Sequence, residues 1–261
     1  MTDFLRLIQN ENMKIYRRVR TWVMLAVTLL IPLAIAIGAL ALDNRPSMWT
    51  YAQIDIYATS WLISTFAVVI AADIVAGEFS SGTIKLLLIR PWTRSKILLS
   101  KYIALLLFVL LFLAAFFLFS LLVNGLLLGF DDGSNILPAD SKWRSAFAYV
   151  ASYYGFRLIE IIVTVTLAFM ISTVFRSSSL AIGLSILMLL GGSILSALLS
   201  LINKPWVDYI LFMNFGLAAY LDGGTPITGR PLGFSLAVLG GYYAIFIALS
   251  WYVFHRRDVA A

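Results

Sequence analysis

The residues able to do chemistry are few, and two places gather them. The first is segment 77–101, where Glu78 is followed by Lys85, Arg90, Arg94, Lys96 and Lys101 with hydroxyls and leucines between. The second is Arg157 with Glu160, three apart inside an apolar run. On a helix that spacing puts both on one face, where opposite charges pair. Ionisable groups within a membrane are costly and often functional, so the pair reads either as a self-satisfied structural element near the outer side or as a substrate contact. Asp73 closes another apolar run, where solvent or a basic partner satisfies it. With no cysteine and one histidine, His255, disulfides, thiolate or clustered-histidine metal sites, cysteine nucleophiles and histidine-paired triads are excluded. There is no Gly-x-x-x-x-Gly-Lys-[Ser/Thr] phosphate loop, His-Glu-x-x-His or Gly-x-Ser-x-Gly motif. Leu189-Leu190-Gly191-Gly192-Ser193 is only superficially like an ATPase signature, because it lies in mid-span. The chain is therefore expected to carry no catalytic residues, bound metal or cofactor, and to draw energy from an ion gradient or a separate subunit.

The elements that position these residues follow from hydropathy. Of 261 residues, 61% are hydrophobic and 12% charged, against about half and about a quarter in soluble domains. With a mean hydropathy of +0.94, the chain lacks the polar residues to coat a globule, which predicts an all-α polytopic membrane protein forming a single transmembrane domain, 1–261. The excess of 19 Lys+Arg over 13 Asp+Glu fits the cationic loops of membrane proteins better than a nucleic-acid surface.

At roughly 20 residues per span, six transmembrane helices are expected, about 21–42, 57–76, 97–130, 149–175, 180–202 and 232–254. Residues 1–20 precede them as an amphipathic helix, with Phe4, Ile8, Ile15 and Val19 on one face beside Leu5 and Tyr16, and Arg6, Lys14, Arg17, Arg18 and Arg20 on the cationic side. That pattern suits a helix lying on an anionic leaflet. The charged stretch and the run after it are too long for a signal peptide, and Pro32 is tolerated as a kink. The run Ile97–Phe130 would reach about 51 Å as a helix, so it must project, tilt or break, with Asn124-Gly125 the expected break. Segment 203–231 is neither apolar enough to span nor polar enough to float, and reads as short re-entrant or interfacial helices. Trp22, Trp49, Tyr51, Trp206 and Trp251 read as interface anchors. Rows of small residues, Gly192/Ser196/Ser200 and Gly233/Ala237/Gly241, mark close helix packing.

Orientation follows from counting bases. With the amino terminus inside, the inner segments hold thirteen Lys/Arg and the outer loops five, which places both termini in the cytoplasm. Segment 77–101 is then a cytoplasmic knob between spans two and three. Ser80 or Ser81 is expected to cap a short helix with the apolar ridge Ile84, Leu87 and Leu88. Pro91 ends it, and Thr93 caps the following helix.

Here the sequence resembles the permease subunits of type-2 ABC transporters. Their run of Glu, Gly-Thr, a Leu-rich stretch, Pro, Arg and later Lys is met by Glu78, Gly82, Thr83, Leu86–Leu88, Pro91, Arg94 and Lys101. The terminal amphipathic helix, six spans and re-entrant segment before the last span also fit. The resemblance implies that the knob, including Ile84, is a coupling helix docking on a separate ATP-binding subunit. It implies a homo- or heterodimer of permeases in the bacterial cytoplasmic membrane, served by two ATPase subunits that hold ATP and magnesium. Such exporters move amphipathic or hydrophobic drugs, antibiotic peptides, lipids or glycans. The short-looped form is most like bacitracin- and lantibiotic-resistance permeases. The competing reading is a gradient-driven secondary transporter, which internal repeats and paired broken helices would favour; neither stands out here.

Overall fold

The computed structural model describes residues 2–42, 47–83, 92–137, 143, 145–202, 204–224 and 228–256. Seven α-helices run through these segments: α1 (Thr2–Tyr16), α2 (Val19–Ala41), α3 (Met48–Ser80), α4 (Arg94–Leu128), α5 (Ala146–Val174), α6 (Ser178–Leu199) and α7 (Leu232–Arg256). No strand occurs among the described residues. All but α1 are long and apolar enough to cross a membrane, giving six candidate spans.

Four helix starts are set by hydroxyl side chains. Ser47, Thr93, Ser145 and Ser177 cap α3, α4, α5 and α6, each accepting a backbone N–H two or three residues on, which satisfies a donor the helix leaves open. The cap at Thr93 is the one expected. Asp131 reaches the start of α3 from the loop after α4. Its Oδ1 accepts from Met48 N and its carbonyl from Trp49 Nε1, both at 3.1 Å, an anion set on a helix amino terminus.

α3 and α5 form the central pair. Ala67, Ala71, Ala72 and Ala76 on α3 are at most 1% exposed, and such small residues let helix backbones approach. Ser172 Oγ accepts from Val75 and Ala76 N at 3.1 and 2.9 Å, and Tyr154 Oη donates to Ala52 O at 3.1 Å. α4 packs on α3 and α5, α1 and α2 lie against α4, and α6 and α7 close the far side. Hydrogen bonds from Ser80 Oγ to Arg176 O and from Arg94 Nη1 to His255 O, both 3.1 Å, gather one end of α3, α4, α5 and α7. With Arg18 and Arg20, this is the basic end of the bundle.

Four sequence expectations change. The second span begins at Met48, nine residues before 57, because the polar Gln53 and Asp55 that interrupt its hydropathy are taken into the bundle. At its other end α3 continues to Ser80, so Ser80 and Ser81 close this helix instead of capping a new one; their hydroxyls donate to Ala76 O and Gly77 O, one turn back. The long third span does not break at Asn124-Gly125. It is one 35-residue helix, in which Asn124 has partners inside the bundle and Gly125 leaves room for the Phe130 ring folding back. Lastly, Tyr51 is 7% exposed and lies in the core, unlike Trp22 and Trp206 at 58% and 56%.

Segment 203–231 forms short helices as expected: 3-10 turns at Pro205–Tyr209, Leu211–Asn214 and Leu217–Asp222, packed on α5, α6 and α7. Gly192 of α6 is the space into which Phe212 of the second turn fits, so that row of small residues serves packing within the chain.

Candidate functional site

The amino-terminal helix supplies the first half of the site. α1 buries Leu7, Ile8 and Ile15 against α4, with Glu11 on the same stripe and only 2% exposed. Val19 and Leu5 are exposed, so the expected apolar face is rotated: Leu7 and Glu11 face the bundle. A carboxylate on a buried stripe needs a partner, and Lys14, one turn on, provides it at 2.8 Å.

The second half comes from α3 and α4. Glu78 lies in the last turn of α3 and Lys101 in the third turn of α4, in direct contact with each other. Lys101 Nζ donates to Glu11 Oε2 at 2.7 Å and to Glu78 Oε1 at 3.0 Å, and Lys14 Nζ reaches Glu78 Oε1 at 2.8 Å. Two lysines and two glutamates thus form a neutral ring across three helices, with Lys101 1% exposed. Burial works against the Lys14 ammonium, but the charge and hydrogen bonds of Glu11 and Glu78 outweigh it and hold its pKa above the ordinary lysine value. Beyond Ser81 the chain turns at Gly82, whose φ of 70° suits a residue without Cβ. Thr83 Oγ1 then donates back to Glu78 Oε2.

Beside the ring, Asp73 accepts from Arg18, Arg20 and Ser178, tying the α1–α2 turn and the start of α6 to α3. Gly77 lies one turn below; a Cβ there would come within 2.7 Å of Asp73 Oδ1, so glycine makes room for this carboxylate. Lys14, Arg18 and Arg20, expected to face lipid phosphate, therefore pair with acidic side chains of the bundle. These groups line a small open cleft between α1, α3 and α4. The ring's chemistry is that of a clamp, joining α1, α3 and α4 at the basic end of the bundle.

The sequence-predicted residues are thus partly assembled. Glu78, Thr83 and Lys101 meet, with Gly82 making the turn between. Arg94 lies apart, bonded to the carboxyl end of α7. Ile84, Leu87, Leu88 and Pro91, the ridge and stop of the expected coupling helix, lie outside the described residues. Glu11 and Lys14 were missed as site residues; the available signal was a Glu at three- and four-residue spacing from Ile8 and Ile15.

Arg157 and Glu160 do pair, at 2.7 Å. Glu160 Oε1 also accepts from Gly216 N and Leu217 N, both at 2.8 Å, so this carboxylate caps the third 3-10 turn and pins it to α5. Tyr149 and Tyr153 both donate to Asp222 at the far end of that turn. Among the described residues no group of three His, Cys, Asp or Glu side chains is arranged to hold a metal.

Comparison with known proteins places the chain in a family. The family described as "Protein of unknown function (DUF2705)" matches residues 21–260. Two relatives come from Bacillus subtilis (strain 168). "Uncharacterized protein YhcI" is 39% identical over 224 residues, covering 84% of this chain and 71% of that relative. "Uncharacterized membrane protein YdbK" is 31% identical over 199 residues, 76% of this chain and 78% of that protein. With six spans of sufficient length and a membrane-protein relative, the chain is a multi-pass membrane protein and belongs to the DUF2705 family.

Proposed function

We propose that this protein is the membrane-spanning permease of an ATP-driven exporter, coupled through segment 84–91 to a separate ATPase subunit. The observation that carries the reading is the ring of Glu11, Lys14, Glu78 and Lys101. It ties together the two helices that flank that segment, and Glu78, Lys101 and the Thr83 bonded to Glu78 belong to the run that resembles type-2 ABC permeases. Force applied to a short loop moves spans only if the loop stands on a rigid base, and buried ion pairs with good hydrogen-bond geometry supply one. The ridge Ile84, Leu87 and Leu88 then offers the apolar anchors an ATPase groove needs. In this reading both termini and the basic end face the cytoplasm, two permeases assemble with two ATPases, and the cargo is amphipathic or hydrophobic.

The test is co-purification from native membranes, with phosphate-loop ATPases identified by mass spectrometry. The wild-type chain should retain one such subunit. Leu87→Ala with Leu88→Ala should insert and fold but lose about 2–4 kcal/mol of docking if both act as hot spots, roughly 30- to 1,000-fold in affinity. Unchanged retention in that variant, or no ATPase with the wild type, sinks the proposal.

A further inference from the structure

Far from the ring, at the other end of the α3–α4 pair, lies an acidic group without a counter-charge. Asp55, on the third turn of α3, is 0% exposed, as are Ser120 and Asn124 of α4 facing it. Ser120 Oγ and Asn124 Nδ2 both donate to Asp55 Oδ2, at 2.5 and 2.8 Å. The other two oxygens of the pair, Asp55 Oδ1 and Asn124 Oδ1, are buried with no hydrogen-bond partner. Two orphaned acceptors on one side-chain pair are rare in a packed interior. An amide and a carboxyl group are complementary on both edges only when the carboxyl group carries a proton.

The charged groups nearby do not offer an alternative. α2 carries only Arg20, at the opposite end, and α6 carries no charged residue. The bases of α4 are Arg94, Lys96 and Lys101, again at the far end. On α5, Arg157 and Glu160 pair with each other, Tyr153 binds Asp222, and the hydroxyl of Tyr154 donates to Ala52 O. On α3 itself Thr59 bonds Asp55 O, and Asp73 and Glu78 are engaged at the basic end. No cation among the described residues pairs with Asp55, and an ionised carboxylate left alone in such an interior is strongly disfavoured.

We propose that Asp55 is a proton-binding site. Its neutral carboxyl group donates Oδ1–H to Asn124 Oδ1 while Asn124 Nδ2–H donates to Asp55 Oδ2, and this acid–amide pair locks α3 to α4. The proton comes from water at the Met48 end and returns there, with no other bond made or broken. Its departure leaves an uncompensated negative charge between the two helices whose other ends carry Glu78 and Lys101. The α3–α4 contact is therefore a proton-operated joint. The inference does not depend on the exporter reading, and an ATPase partner is irrelevant to its test.

The test uses the full-length protein in detergent or nanodiscs. Infrared spectra at neutral pH should contain a protonated carboxylic acid carbonyl band that Asp55→Asn removes. Asn124→Ala should shift the same band to higher frequency, since it deletes the hydrogen-bond acceptor; this reads the site even if Asp55→Asn fails to fold. Asp55→Asn keeps an uncharged donor toward Asn124 and should melt with the wild type at neutral pH. As pH is raised, the wild type should lose stability while Asp55→Asn stays level. Absence of the acid band from the wild type overturns the proposal. So does wild-type stability that rises with sodium over choline and loses that dependence in Asp55→Asn, which would make the site one for a metal cation.

Discussion

Replacing Lys101 by Met tests the ring most directly. The side chain is 1% exposed and faces Glu11 and Glu78, themselves 2% and 13% exposed. Met fills the same volume without charge, so packing is nearly conserved and the loss is electrostatic. Two carboxylates then share Lys14, which is 37% exposed and holds them in a wetter, more screened setting. Removing one partner of a buried ion pair costs about 3–5 kcal/mol; the surviving Lys14 contacts put this case near about 3 kcal/mol. For a chain this long each kcal/mol moves the midpoint by about 2–4 °C, so the melting temperature should fall by about 6–12 °C. The chain has 7 tryptophans, and intrinsic fluorescence during a thermal ramp in detergent reads the transition. Adding Glu11→Gln restores neutrality, one lysine to one glutamate, and should recover at least half of the loss. A Lys101→Met protein melting with the wild type would refute the claim that the ring holds α1, α3 and α4 together. So would a double variant losing the sum of the two single losses, because coupled partners cannot be additive.

Glu160→Ala orphans the N–H groups of Gly216 and Leu217 and leaves Arg157 unpaired, which should destabilise by about 3–5 kcal/mol, with hydrogen exchange rising first at 211–222. Gly192→Ala drives a methyl into the Phe212 ring and should cost about 1–3 kcal/mol; Phe212→Leu added to it should return part of that in the same melt. Lys14 titrates above the usual lysine range, so its contribution is complete below the unfolded-state pKa and is lost as pH rises through the folded value. The melting difference between wild type and Lys14→Met should hold across neutral pH and shrink only in strongly alkaline buffer; shrinkage near neutrality would contradict the ion-pair assignment. Cysteines placed singly at Ser95 and Ser134, against a background with none, should label from opposite sides of the membrane, Ser95 from the cytoplasm.

What could be read from the sequence follows from local chemistry. Long apolar runs have no stable place except a bilayer, and a helix satisfies its backbone there without help, so the six spans and the all-α class needed no tertiary knowledge. Thr93 as a cap and Arg157 with Glu160 as a pair were likewise legible, because each involves residues three apart on one helix. The start of α3 at Met48 was not, because hydropathy counts Asp55 and Gln53 as loop residues. Only α4, contributing Ser120 and Asn124, makes burial of Asp55 tolerable. The same holds for the continuity of α4 through Asn124-Gly125. The site shows the division most plainly. The motif named Glu78 and Lys101, but their meeting with Glu11 depends on α1 docking on α4, 90 residues away along the chain. The bases of residues 14–20 looked like lipid ligands because sequence alone shows charge and period, whereas partner choice depends on which carboxylates the folded bundle has already removed from water.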